Sequence, residues 1–320
     1  MQRGMDMTFK VFDAHCDALE KLWRYADLSF DKEDERLHVS LPEMKKGHVL
    51  LQVFAVFVPT DVPYGRKFHT SLEMVDIFHE KIAGKHLRPI YTRKDLDACV
   101  YEDKKGAILF VEGAYPLEGS LTNLRTLYRL GVRGMGLTWN FQNEVAAGCH
   151  EVNPGGLTLF GRKVVSEMNR LGMVVDVSHI AEPGFWDTLE LSTAPIIASH
   201  ANVKALYNHP RNLNDLQIKA LIEKDGVMGL TLYPPFYTNE NRPVTMDDLL
   251  RQLDHICSLG GVNHVGIGAD FDGIDKTFAD LDRPGKYGMI AEALANRYKE
   301  EEIKKFMCEN WLRVFRTVLQ

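Results

Sequence analysis

The chain has 320 residues, of which 45% are hydrophobic and 26% charged, with 38 basic and 44 acidic side chains and a formal net charge of −6. These ordinary globular values exclude disorder, a collagen-like repeat and a low-complexity scaffold, and the mixing of signs along the chain leaves no electrostatic footprint for nucleic acid. The length suits two average domains or one α/β barrel.

Five widely spaced cysteines, Cys16, Cys99, Cys149, Cys257 and Cys308, include no Cys-x-x-Cys pair and read as reduced, mostly buried thiols of a cytoplasmic protein. No apolar signal core precedes Asp13. The greasiest stretch, residues 49–58, is interrupted by Gln52 and is too short to cross a bilayer.

In chain order, eight short apolar runs read as strands: residues 9–15, 49–58, 107–112, 135–139, 173–178, 195–199, 227–233 and 264–269. Several are apolar nearly throughout, as strands covered on both faces should be. Amphipathic stretches at 71–85, 121–130, 159–171, 215–224 and 245–259 separate them, and helices near 289–298 and 300–318 close the chain. This βα alternation predicts a (β/α)8 TIM barrel, with an open doubly wound sheet as the alternative. No internal repeat, Ser/Pro linker or long run of like charge divides the chain, so residues 1–320 are expected to form a single catalytic domain.

The ligand-type residues follow the same order. The first run ends in Phe12-Asp13-Ala14-His15-Cys16-Asp17, where strand alternation puts His15 and Asp17 on one face. The third ends in Glu112, the fifth in Asp176-Val177-Ser178-His179 and the sixth in Ser199-His200. Each alone reads more plainly as a helix cap or a paired polar group. Five at the same end of strands are harder to dismiss, because in a barrel those ends meet on the rim where active sites sit. Three imidazoles and two carboxylates suit two divalent ions such as zinc, with the middle carboxylate as bridge. A pair of ions about 3.5–4 Å apart, sharing a hydroxide and polarising a carbonyl, describes a hydrolase.

The eighth run leads into Gly268-Ala269-Asp270-Phe271-Asp272-Gly273 and places Asp270 at that rim as proton carrier, with Asp272 as a structural group. The segment lacks the third carboxylate and terminal Glu of an EF-hand and the third glycine of a dinucleotide fingerprint. Arg211, in the loop after the sixth run, can grip a substrate carboxylate in a bidentate fork, against the plainer reading as a surface ion pair. A Gly-x-Ser-x-Gly elbow is lacking, which leaves a covalent acyl-enzyme without support.

With these residues in hand, the chain resembles the membrane (renal) dipeptidase family of binuclear zinc dipeptidases, among the amidohydrolase-type barrels. The likeness runs from Asp13-Ala14-His15-Cys16-Asp17 through the segments above to Glu309-Asn310-Trp311-Leu312-Arg313-Val314-Phe315. It implies that His15 and Asp17 hold one zinc, His179 and His200 the other, and that Glu112 bridges them. It further implies that Asp270 assists proton transfer and steadies the substrate amine, that Arg211 receives the dipeptide's C-terminal carboxylate, and that Tyr233 lines the same pocket. Substrates are then dipeptides, including those with a C-terminal D-residue. Family members often dimerise, so a homodimer is one expected assembly.

Two departures stand out. Where the renal enzymes have a histidine that polarises the peptide carbonyl, this chain reads Leu137-Thr138-Trp139-Asn140, and an indole N–H donates without acting as an imidazole does. His150 in the following loop is a candidate for that role, against a reading as a surface histidine. The animal members also carry a signal sequence and a lipid-anchor tail. This chain ends at Val318-Leu319-Gln320, and the expectation is a soluble cytoplasmic peptidase with no membrane partner. The rival readings are a barrel amidohydrolase acting on N-acyl amino acids, lactones or cyclic amides, and a barrel that has lost catalysis and serves as a scaffold.

Overall fold

Eight parallel strands, each followed by helix, close into a (β/α)8 barrel: β1 Val11–Asp13, β2 Val49–Phe57, β3 Gly106–Glu112, β4 Val132–Gly136, β5 Val174–Asp176, β6 Ile196–Ala201, β7 Val227–Leu230 and β8 Val265–Ile267. The computed structural model describes residues 9–320. Residues 1–8, on which the expected lack of a signal core partly rests, lie outside the described residues. Closure comes from the pairing of Asp13 with Ile267 between β1 and β8, while β2 and β3 share a seven-residue register from Leu51↔Gly106 to Phe57↔Glu112. A two-residue strand, Arg88–Pro89, which the apolar pattern does not announce, pairs with the start of β3.

The strands sort their side chains by period two. Phe12, Leu51, Val53, Ile108, Phe110, Val174, Ile197 and Val227 form one cluster with Trp311, Leu312 and Phe315 of the closing helix Asn310–Val318. Trp311 packs on Phe12, donates its indole N–H to the Ile267 carbonyl at 2.9 Å, and faces Gly266, where a Cβ would collide with it. The alternate residues, among them Phe54, Leu109, Val175 and Met228, pack into a larger cluster with the surrounding helices.

Six strands depart from the sequence reading at their ends by two or more residues, and β6 does so by running on to Ala201, past the expected end at 199. Strands β1, β5, β7 and β8 stop at Asp13, Asp176, Leu230 and Ile267, two or three residues before the apolar runs do. The chain leaves the ladder there and turns, with His179, Asp270 and Asp272 in the left-handed region at φ 65°, 66° and 70°. Strand β4 starts earlier, at Val132, and ends at Gly136, so Trp139 lies in the loop beyond it. Its polar Arg133 hides this from an apolar-run reading: the guanidinium stacks on Tyr128 and Tyr91 and donates to the carbonyls of Tyr91 and Tyr128. Helix Lys67–Ile77 begins four residues before the expected start at Ser71, and widens into a π turn over Phe78–Ile82.

Candidate active site

The rim at the C-terminal ends of the strands is built by local chain reversals. His15 and Asp17 lie past the end of β1, so strand alternation does not place them. Instead, segment 15–17 runs beside segment 270–271, with the Asp270 N–H donating to the His15 carbonyl and the Asp17 N–H to the Phe271 carbonyl. Glu112 is the last residue of β3 and His200 stands within β6. His179 and Asp270 hold left-handed backbones that cost a non-glycine residue of order 1–3 kcal/mol and tend to collect at functional sites. Gly273 must be glycine, because a Cβ there would run into the carboxylates of Asp17 and Asp270.

These segments bring three imidazoles and three carboxylates together. Nε2 of His15 lies 3.4 Å from Asp17 Oδ2, 3.6 Å from Glu112 Oε2 and 3.7 Å from Asp270 Oδ1. The other Glu112 oxygen, Oε1, lies 3.0 Å from His179 Nε2 and 3.5 Å from His200 Nε2. Two groups with cation-binding spacing result, His15–Asp17–Glu112 and Glu112–His179–His200, which share Glu112; His15, His200 and Asp270 form a third.

Burial and mutual charge set the protonation of the cluster. Burial disfavours a charged ring at His179, with Arg211 adding to it, and takes its pKa down to about 3. Burial and the nearby His15 hold His200 well below the ordinary range. Burial opposes ionisation of Glu112, yet the neighbouring His15 pulls it well below a usual carboxylate. At His15 burial opposes the charged ring, but Glu112 and Asp17 prevail and push its pKa up; a field that attracts a proton there also attracts a metal cation. Burial raises Asp270 well above the usual value, reinforced by Asp17 and Glu112.

The donors fit divalent ions. His179 Nδ1 faces the acceptor Asn140 Oδ1 at 2.8 Å, so that ring carries its proton on Nδ1 and presents Nε2 as a lone pair; His200 Nδ1 faces Ser199 Oγ at 2.8 Å. The Nε2 atoms of the two rings stand 2.8 Å apart, close enough to share one cation. His15 Nδ1 and Nε2 and Asp17 Oδ1 are buried and accept or donate no hydrogen bond. Orphaned polar atoms of this kind call for a ligand. Mixed imidazole and carboxylate donors suit borderline ions such as zinc.

The centre opens into a cavity of about 460 Å³, which Arg211, Trp139, Tyr233 and His150 also line. That volume is within the range of small-molecule sites. Arg211 is 3% exposed, donates to the His200 carbonyl at 2.8 Å, lies over the Phe236 ring and keeps a buried Nε without a partner. It is therefore no surface ion pair. Trp139 packs between Phe57 and Phe141 with its ring 6.2 Å from that of His179. Tyr233 donates its hydroxyl to Asp275 at 2.8 Å. His150 is exposed at the rim, its ring near those of Phe141 and His209. Asp272 accepts the N–H groups of His38 and Val39, at 2.7 and 2.9 Å, and so holds a loop. The sequence reading gave no role to Asn140, Asp176 or Ser199, although all three stand in motifs it quoted; the repeated Ser-His pairs at 178–179 and 199–200 were the available signal.

A closed (β/α)8 barrel with this donor set around one rim cavity is a metal-dependent hydrolase. The chain belongs to the membrane dipeptidase family, peptidase family M19, whose model matches residues 2–320. Among solved structures it is similar to the dipeptidase AC, a metallopeptidase of family M19, at 29% identity with a TM-score of 0.89, covering 98% of this chain and 99% of that one. It is equally similar to a metallopeptidase from Rhodobacter sphaeroides liganded with a phosphinate mimic of the dipeptide L-Ala-D-Ala, at 28% identity and TM-score 0.90, covering 98% and 100%. A Klebsiella pneumoniae relative, an uncharacterized protein in the pqqA 5′ region, is 33% identical over 247 residues, 74% of this chain and 91% of that one. The protein is thus a metallodipeptidase that uses divalent metal. Among the described residues no helix is long and apolar enough to cross a membrane.

Proposed function

We propose that the protein cleaves dipeptides with two zinc ions, one held by His15 and Asp17, the other by His179 and His200, with Glu112 between them. The observation that carries this reading is the division of Glu112, whose Oε2 faces His15 while Oε1 faces His179 and His200. When bound, the ions lower the pKa of water and polarise the scissile carbonyl.

The remaining residues bind and move protons. Arg211, buried and with an unsatisfied Nε, receives the substrate's C-terminal carboxylate, an interaction strengthened by exclusion of water. Asp270, whose carboxylate lies 3.7 Å from His15 Nε2, holds the substrate amine and carries the proton to the leaving nitrogen. Anchoring both ends limits the substrate to two residues. Trp139 and Tyr233 shape the walls, and Trp139 adds no base to the site. The Rhodobacter sphaeroides metallopeptidase with its L-Ala-D-Ala mimic supports acceptance of a C-terminal D-residue here. A free-amine pocket at Asp270 disfavours N-acyl amino acids. The buried thiols of Cys16 and Cys308, pushed up by burial, suit a reducing cytoplasm, and residues 1–320 serve as one catalytic domain, supported by the single closed barrel.

The test is a stereochemically mixed dipeptide panel, run beside N-acyl amino acids, with elemental analysis of the zinc-loaded protein. Two equivalents of metal and release of free amino acids from dipeptides are expected, and His179→Ala should abolish turnover. Faster turnover of acyl amino acids would favour the amidohydrolase rival, and less than one equivalent without activity the scaffold. Light scattering on the same sample tests the homodimer that the family resemblance leads one to expect.

A further inference from the structure

We propose that Asp176 is a positioning residue of the metal centre: through the Ser199 hydroxyl it fixes His200 in the Nδ1–H tautomer and so leaves Nε2 free to bind metal. The inference rests on the reading of His200 as a metal ligand. Asp176 is buried at the end of β5 and touches none of the proposed ligands through its own side chain. Its Oδ1 accepts two backbone donors, the N–H of Ser178 at 2.9 Å and of Ser199 at 3.0 Å. Its Oδ2 accepts the Ser199 hydroxyl at 2.5 Å.

From that one carboxylate every proton in the chain of groups follows. A carboxylate has only lone pairs to offer, so the single Ser199 hydroxyl proton points at Asp176. Ser199 Oγ is then an acceptor towards its other neighbours, His200 Nδ1 at 2.8 Å and Ser178 Oγ at 3.2 Å. Ser178 Oγ in turn accepts the His200 backbone N–H at 3.1 Å. His200 must carry its ring proton on Nδ1, and its Nε2 lone pair faces Glu112 and His179. Tying β5 to β6 would need only Oδ1. The Oδ2 contact is the part that reaches the ring, and partners of this kind behind a ligating histidine set its tautomer and basicity.

Asp176→Asn separates the two roles. The two backbone N–H groups hold the amide oxygen at the Oδ1 position, so Nδ2 faces Ser199 Oγ and donates to it. The Ser199 proton then swings to His200 Nδ1, the ring proton moves to Nε2, and the ligating lone pair is lost while strand contacts and shape remain. Ser199→Ala removes the relay oxygen without inverting it.

The experiment uses full-length, metal-free protein labelled with 15N-histidine. Two-bond 1H–15N correlation reads the tautomer, with His200 assigned by its absence in His200→Gln, and competition against a chromophoric chelator reads zinc affinity. Expected are Nδ1–H in the wild type, Nε2–H in Asp176→Asn with the weaker zinc bound roughly 10–100-fold less tightly, and a mixed tautomer with a smaller loss in Ser199→Ala. An Nδ1–H tautomer or wild-type affinity in Asp176→Asn overturns the proposal. Should Asp176→Asn fail to fold, Ser199→Ala decides in the same way: a mixed tautomer with weakened zinc supports the relay, and a pure Nδ1–H ring at wild-type affinity overturns it. Two zinc ions bound at wild-type affinity by His200→Gln would instead sink the ligand reading itself.

Discussion

The hydroxyl of Tyr287 donates to Oδ2 of Asp13 at 2.6 Å, across 274 residues of sequence. Oδ1 of the same carboxylate accepts the N–H groups of Ala269 at 3.0 Å and His15 at 3.3 Å. One buried aspartate thus joins β1, the turn after β8 and the segment before the helix Gly288–Leu294, directly beneath His15 and Asp270. Removing the phenolic donor leaves a buried carboxylate oxygen without its partner. Tyr287→Phe should therefore lose about 1–3 kcal/mol of stability, measured by urea denaturation of the metal-free protein.

Arg211 binds through a planar fork that lysine cannot reproduce, because an ammonium is a point charge. Arg211→Lys should lower kcat/KM on dipeptides roughly 10- to 100-fold, the cost of about 1.5–3 kcal/mol for a charge-assisted hydrogen bond. The effect should appear mainly in KM. A dipeptide amide, which lacks the carboxylate, checks the assignment: wild type should discriminate strongly against it and the variant weakly.

His150 is the residue whose sequence reading had two sides, and its position at the rim favours the bland one. Partial burial, with Arg211 adding to it, lowers its pKa, yet the residue as a whole stays exposed at the rim. A donor left in water stabilises a developing oxyanion far less than one in a dry, preorganised site. His150→Ala should reduce kcat/KM by less than about tenfold, whereas loss of a true oxyanion donor costs on the order of 100-fold or more. Steady-state kinetics on the preferred dipeptide distinguish the two.

Asp248 supplies an acid-sensitive contact far from the metal residues. Its Oδ2 accepts the Thr245 N–H at 2.9 Å at the start of helix Met246–Ser258, and Arg242 grips both oxygens at 2.8 and 3.0 Å. Burial opposes its ionisation, but Arg242, the Thr245 N–H and Arg251 outweigh that and hold its pKa well below the usual value. The folded state therefore resists protonation more than the unfolded chain, whose aspartates titrate near about 3.9. This stabilisation is complete above that value and is lost as pH falls through it towards the lower folded pKa. Asp248→Asn should cost about 1–3 kcal/mol at pH 7. In thermal melts of metal-free protein, the gap to wild type should narrow below about pH 4.

Much of the site was legible in the chain because its signals are local. An apolar run ending in Glu112, or in a Ser-His pair, shows both the strand and the group carried to its end, since strand period and the barrel's rim follow from short stretches alone. The ends of those strands were less legible. Ser178 and Ala269 look like strand residues by composition, yet His179 and Asp270 require left-handed turns just there, a constraint set by where the side chains must meet. Arg133 hid the start of β4 because its polarity is satisfied by Tyr91 and Tyr128, neighbours known only once the helices have packed.

By itself, then, the sequence determined the βα alternation, which ligand-type residues follow the strands and the family to which the chain belongs, all of them properties of residue type and order. Only the tertiary structure decided how the ligand-type side chains divide around Glu112, that Arg211 is buried and unsatisfied, and that the Ser199 hydroxyl stands between Asp176 and His200 Nδ1. Those relations depend on which strands pair, β5 against β6 within the ladder and β8 against β1 where the barrel closes. Hydrogen-bond partners are neighbours in space: Asp176 and Ser199 meet only when β5 pairs with β6, and Asp13 and Tyr287 only when the chain end returns to β1.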